Sequence, residues 1–267
     1  MPCLLITTSF SILKLDLETS EISTIHRGYG LYYGITRSPR YYMVAARRRL
    51  VSSEIPIEKE DGVILLFNSK LKKVGEIKAP FPLRDMHEIK WYDDKLWITC
   101  SYENMIVIFD GKNWIRWYPL GKPEAEPFDK NHFNSFLFEK DSLYLLAHNR
   151  GDSEILEFSL KNLELKRRIP LGNQAHNIWK KGDVFYTCSS GEGKLRGTNG
   201  WEVYTGGFPR GIAFSDKNIF LGVSEFTERK YRDFTDGKIF VYNKNWILER
   251  EIILKKEGLV LDLFLIF

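Results

Sequence analysis

Three histidines, His87, His132 and His176, each stand at or just ahead of an apolar run, and Arg210 stands at a fourth. Neutral imidazoles are good ligands for zinc, iron, manganese or copper, so His87, His132 and His176 could converge on one divalent ion if the fold brings them together. Asp262 or Glu225 would then add a carboxylate. Arg210 offers a planar fork suited to carboxylate or phosphate, and Asn134 and the histidines can donate beside it. An acid–base reading uses the same residues, with His176 as base and Arg210 stabilising negative charge as it develops. The usual hydrolase and nucleotide signatures are absent from the sequence. There is no HExxH pair and no identifiable Ser-His-Asp set, and "SSGEG" (189–193) is not a GxSxG elbow. "GEGKLRG" (191–197) lacks Walker spacing and reads as a loop between strands.

A repeat would position these residues. "MHEIKWYDDKLWITCS" (86–101), "HFNSFLFEKDSLYLLAHN" (132–149), "QAHNIWKKGDVFYTCSS" (174–190), "PRGIAFSDKNIFLGVSE" (209–225) and, more weakly, "YYGITRSPRYYMVAAR" (32–47) share one plan. Each is a polar start, an apolar run, a turn and a second, aromatic-rich run. Another pair of strand-like runs follows, as in "MIVIFDGKNWIRWYP" (105–119) and "GKIFVYNKNWILEREII" (237–253). Four antiparallel strands in about 40–45 residues are the unit of a β-propeller blade. Five such units span 31–255. One strand remains at the end, "GLVLDLFLIF" (258–267), and three at the start, "CLLITTS", "SILKLDLE" and "EISTIHR". One plus three completes a sixth blade. The expectation is an all-β, six-bladed propeller forming a single domain over 1–267, closed by the C-terminal strand on the three N-terminal strands.

In a propeller the first strand of each blade lines the central channel. Counting back from the second strand aligns Tyr33, His87, Asn134, His176 and Arg210, with Leu261 and Asp262 in the closing blade. His132 lies two residues before Asn134, on the same side of its strand. The second strands end at Arg47, Ser101, His148–Asn149, Ser189–Ser190 and Ser224–Glu225, on the same face. Four of the five histidines fall in these two sets; His26 does not. The expected assignment is His176 and Arg210 as catalytic, and His87, His132, Asn134, Ser189 and Tyr33 as ligand-binding. Polar plugs filled with water would use the same positions without any ligand.

Composition narrows the setting. Of the 267 residues, 43% are hydrophobic and 28% charged, enough for a full core and against disorder. The net charge of +4 is spread along the chain. The densest basic run, "ARRRL" (46–50), reads as a solvated loop edge, so nucleic acid is an unlikely partner. Cys3, Cys100 and Cys188 are far apart, odd in number and set in apolar runs, which fits a reducing, cytoplasmic location. The N-terminus has no signal-peptide pattern, and no apolar run is long enough to span a membrane.

Several of these segments resemble, in order and spacing, an uncharacterised bacterial propeller-like family, a domain of unknown function. "NHFNSFLF" (131–138), "AHNIWKKGDVFYTCSSGEGKL" (175–195) and "GGFPRGIAFSDKNIFLGVSE" (206–225) match its Cys-His-Leu-Asn, Pro-His-Ser-Pro with Asp-Ser-Gly-x-Gly, and Gly-Phe-x-Arg-Gly-Leu-Ala motifs. By this resemblance, over roughly 85–225, His132, Asn134, His176 and Arg210 are matching positions, and His87 matches a blade start. Asn131, Asn177 and Ser189 depart from it, the last removing a carboxylate from the rim. The family carries no activity to transfer.

The function expected is binding of a small polar or anionic ligand at the channel mouth, with transformation of it where His176 and Arg210 act as catalytic residues, and with a divalent metal as a candidate cofactor. The alternative is a protein-interaction scaffold presenting the loops 47–61 and 226–236, which could equally be lids.

Overall fold

The structure is a computed structural model and describes residues 2–123 and 127–267. Six four-stranded antiparallel sheets form a six-bladed β-propeller. The innermost strands are Val260–Ile266, Tyr32–Arg37, Ile89–Tyr92, Phe133–Glu139, Ala175–Lys181 and Phe208–Phe214. They belong to blades one to six in that order. Blade one closes the ring as expected. Val260–Ile266 pairs antiparallel with Cys3–Thr8, and Ser11–Asp16 and Ile22–Arg27 complete the sheet.

Burial falls from the second strand of a blade to the fourth, which explains the composition of each. The second strands Tyr42–Ala46, Ser142–Ala147 and Asn218–Ser224 are buried almost throughout. Neighbouring blades cover both of their faces, so both faces read as apolar. The fourth strands Lys73–Ile77, Trp114–Trp117 and Leu248–Leu254 are largely exposed and carry the Lys, Arg and Glu. The hydrophobic clusters accordingly lie between blades. One joins Leu4, Leu13 and Leu15 of blade one to Phe220, Ile239 and Val241 of blade six.

Polar side chains stitch the blades at two levels. Lower in the channel, each of four inner strands supplies an acceptor to the next blade's backbone. Asp262 Oδ2 accepts from Ile35 N (2.8 Å), Glu88 Oε2 from Phe136 N (3.1 Å), Ser135 Oγ from Ile178 N (3.2 Å) and Asn177 Oδ1 from Gly211 N (2.7 Å). Near the ends of second strands, Ser101 Oγ donates to Phe133 O and Ser190 Oγ to Pro209 O, both at 2.6 Å, and Ser224 Oγ accepts from Val260 N at 2.9 Å. These serines meet backbone groups that would otherwise be orphaned. Inner strands carry β-bulges at the same level, including those at Asn134, Asn177 and Gly211. Gly211 has φ 78°, and a Cβ there would lie 2.9 Å from Asp262 Cα. Only glycine meets both demands.

Among the described residues no helix is long and apolar enough to cross a membrane. The three cysteines are free and buried, and burial pushes all three thiols above their ordinary range.

Candidate functional site

The bulges and stitches leave one end of the channel open as a cavity of about 390 Å³. Tyr33, His87, His132 and Arg210 line it, together with Asp85, His148, Phe208, six arginines in all and the two insertions. A smaller void lies deeper, lined by Glu88, Asn134, His176, Asn177 and Asp262. The inner-strand alignment therefore brings its residues together, but at two depths. Asn134 sits low, donating from Nδ2 to Ala175 O at 2.9 Å while its Oδ1 has no partner. His132 sits high. Its backbone is left-handed (φ 51°), which sets it outside the strand that carries Asn134.

Four histidine rings form a chain from the mouth down to the deeper void. Centroid separations are 4.3 Å from His87 to His132, 4.5 Å from His132 to His148 and 5.1 Å from His148 to His176. His26 lies apart, bonded to the Tyr32 hydroxyl at 2.8 Å. Burial and then the neighbouring His132 hold His87 down to about 3, so it is neutral at ordinary pH. Burial also holds His148 and His176 well below the usual imidazole range, with Arg210 next in weight for His176. The network assigns the proton of His176. Ser190 spends its hydroxyl hydrogen on Pro209 O, so it must accept from His176 Nδ1, 2.9 Å away. His176 Nε2 then carries a lone pair and accepts from Arg210 Nη2 at 2.5 Å. Both nitrogens are used. A role for His176 as metal ligand or base would first require breaking the Arg210 contact.

Arg210 is 8% exposed and bonded only to neutral groups. Besides His176 it donates to the Tyr33 hydroxyl at 3.3 Å, and its Nε has no partner. Its guanidinium also lies over the Tyr33 and Phe208 rings, at 5.7 and 5.3 Å from their centroids. No carboxylate of the described residues comes within 4.0 Å of it. Burial pushes its pKa below the ordinary value. Arg232 lies nearby, also over the Phe208 ring at 5.6 Å, and is also pushed down by burial and then by Arg210 and Arg229. The side chains of Arg229 and Arg232 make no ion pair or hydrogen bond with described residues. Against six cavity arginines stand two lining carboxylates, Asp85 and Glu225.

Arg47 behaves differently and corrects the reading of 46–50 as a solvated edge. It is 3% exposed and bonds both carboxylate oxygens of Glu60, at 2.9 and 2.6 Å, and Asp85. Burial opposes its charge, but Asp85 and Glu60 outweigh burial and hold it fully protonated. Asp85 is likewise held well below the carboxylate range despite its burial, chiefly by Arg47. Glu60 also accepts from Asp85 N at 2.7 Å.

The metal set expected from His87, His132 and His176 is rearranged. The ligand atoms that come within 4.8 Å of one another belong to Asp85, His87 and His132. His176 is occupied by Arg210, and Asp262 serves the blade junction below. Ser189 does not line either cavity; it accepts from Asn173 N at 2.8 Å and contacts the Glu192 carboxylate. Its neighbour Ser190 reaches the site instead, through His176.

The two insertions meet over the cavity. Arg47, Arg49 and Val51 come from one, Phe226, Thr227, Arg229 and Arg232 from the other. Ser52 N donates to the buried Asp233 Oδ2 at 2.7 Å, tying them together.

No family model matches the chain, and neither does any curated protein. Solved structures do. A chain of a nidogen/laminin complex is 10% identical with a TM-score of 0.71, covering 99% of this chain and 98% of that one. A protein of unknown function from Bacteroides caccae is 11% identical with a TM-score of 0.67, over 100% and 99%. Inactive virginiamycin B lyase from Staphylococcus aureus with quinupristin is 16% identical with a TM-score of 0.53, over 80% and 70%. At these identities the likeness is one of fold.

Proposed function

We propose that the channel mouth binds a small anionic ligand, with Arg210 as its central receptor. The observation that carries this is the absence of a carboxylate partner for Arg210 among the described residues. A buried guanidinium bonded only to a neutral imidazole and a phenol, with one nitrogen unpartnered, lacks the counter-charge that buried ions need. A carboxylate or phosphate in the cavity supplies it. Arg232 and Arg229 stand ready on the rim, and Phe208, Tyr33 and Phe226 offer apolar walls. The two insertions act as lids, since they meet above the cavity. Binding is the activity this supports; Tyr33, His87 and His132 are its further contacts, with Asn134 in the void below. We place the chain, as one domain, in a reducing, cytoplasmic setting, with kinship to the uncharacterised bacterial propeller family.

The test is thermal stability in a panel of small anions: phosphate, sulfate, citrate and a phosphorylated sugar. A ligand at one hundred times its Kd adds about 2.7 kcal/mol, a rise of roughly 5–10 °C for a chain this size. Wild type should show such a rise with at least one anion, and Arg210→Met should not. A flat response across the panel, or equal responses in both proteins, would sink the proposal.

Capture of a protein partner by the same loops is a second reading. One observation favours it: Phe226, Tyr231 and Phe234 are 56%, 52% and 64% exposed on the second insertion. Exposed aromatics of this kind suit an interface. Partner capture that survives Arg210→Met but fails on replacement of 226–236 would support the scaffold over the receptor.

A further inference from the structure

We infer that Asp85, His87 and His132 bind one divalent first-row transition-metal ion at the wall of the cavity. His87 carries the argument. It is 7% exposed, yet neither ring nitrogen makes a hydrogen bond. Its Nε2 lies 3.2 Å from Asp85 Oδ1 without hydrogen-bond alignment. A buried imidazole with neither nitrogen hydrogen-bonded asks for a partner, and a ring lone pair can be given to a metal.

The surroundings are built for this. Asp129 Oδ2 takes the Nδ1 hydrogen of His132 at 2.5 Å, which leaves Nε2 for an ion. Arg150 donates to the same Asp129 oxygen at 2.5 Å and holds it in place. A carboxylate behind a ligating histidine fixes its tautomer and orientation. Asp85 sits in a left-handed conformation (φ 50°), with its amide fixed by Glu60. Arg47 binds Asp85, and the His87 and His132 ring centroids lie 4.3 Å apart beside it. Two imidazoles and one carboxylate match the preferences of zinc, iron or manganese and leave coordination positions open.

Those positions face the cavity, and His87 and His176 centroids are only 6.3 Å apart. An anion on Arg210 can therefore also complete the metal's coordination. This last point rests on the anion reading. It makes the ligand a small metal-chelating oxyanion, such as a hydroxy acid or phosphate ester, and makes metal and anion bind each other's complex more tightly.

The experiment is titration of zinc alone, without added oxyanion, into chelator-treated protein, with cobalt as a spectroscopic substitute. Wild type should bind one ion per chain and give a visible cobalt band. His87→Ala and His132→Gln should each weaken zinc by at least roughly 100-fold, and Asp129→Asn by about 10–100-fold with a shifted cobalt band. His132 precedes its strand, so His132→Gln stands as the test if His87→Ala does not fold. Arg210→Met should keep the metal. No saturable zinc binding to folded wild type, or binding unchanged in both histidine variants, would overturn the inference. If zinc fails while an Arg210-dependent anion effect persists, the metal falls and the anion reading stands. If zinc binds and no anion acts, the reverse holds.

Discussion

Arg210 donates to His176 Nε2 at 2.5 Å, placing a buried cation against a neutral ring where a carboxylate would ordinarily stand. A side chain kept for stability would not be arranged this way. A buried charge with no counter-charge carries its desolvation cost uncompensated, and an apolar residue of similar length removes that cost. Arg210→Met should therefore leave the ligand-free protein as stable as wild type or raise its melting temperature by a few degrees. Thermal unfolding in a buffer free of added oxyanions measures this. A clear loss of stability would mean that Arg210 is a structural residue.

Arg47 gives the opposite expectation, because its charge is answered on both sides by Glu60 and Asp85. Breaking a buried pair from one side costs about 3–5 kcal/mol. Glu60→Ala should show that loss in denaturant unfolding. Combining it with Arg47→Met should cost less than the two single losses summed, because either change alone already breaks the Arg47–Glu60 pair. Additive losses in the double variant would contradict the pairing.

Asp262 ties blade one to blade two and should titrate unusually. Burial, opposed by bonds from Ile35 and Leu263, pushes its carboxyl from 3.8 up to about 6. Its folded pKa lies above its unfolded one, so its contribution to stability is fully present below about pH 4 and is lost as pH rises through about 6. The carbon-13 shift of its carboxyl should move with a midpoint near 6. A midpoint near 4 would show that the channel wall is wetter than described.

Ring closure depends on Val260–Ile266 pairing with Cys3–Thr8. Deleting 258–267 exposes the Cys3–Thr8 edge and opens clusters shared with blade six. The truncated chain should unfold or aggregate, as size-exclusion chromatography would show. A monomer with an unchanged melting point would contradict the closure.

The fold was legible because blade period and strand alternation survive divergence: apolar second strands and a lone terminal strand each have one place in a closed ring. The inner-strand alignment likewise brought Tyr33, His87, Asn134, His176 and Arg210 to one channel. What it missed lies off the strands. Asp85 and Asp129 sit in loops just ahead of His87 and His132, where strand counting assigns no position. An acidic residue two or three places before each histidine was the available signal. The depth of Asn134, and the turning of Ser189 away from its neighbour Ser190, follow from bulges and short helical turns that sequence period does not encode. Arg47 looked solvated because Glu60, its partner, lies thirteen residues on, across an insertion with no repeat to fix its path.

The central claim is that an anion sits on Arg210. Crystals grown with tungstate, a heavy stand-in for phosphate, locate it directly. The account predicts a strong anomalous peak in the channel mouth, placed so that the tungstate oxygens lie about 3 Å from the Arg210 guanidinium nitrogens, and absent in Arg210→Met crystals. Density confined to outer-surface arginines, with none in the channel mouth, would contradict it.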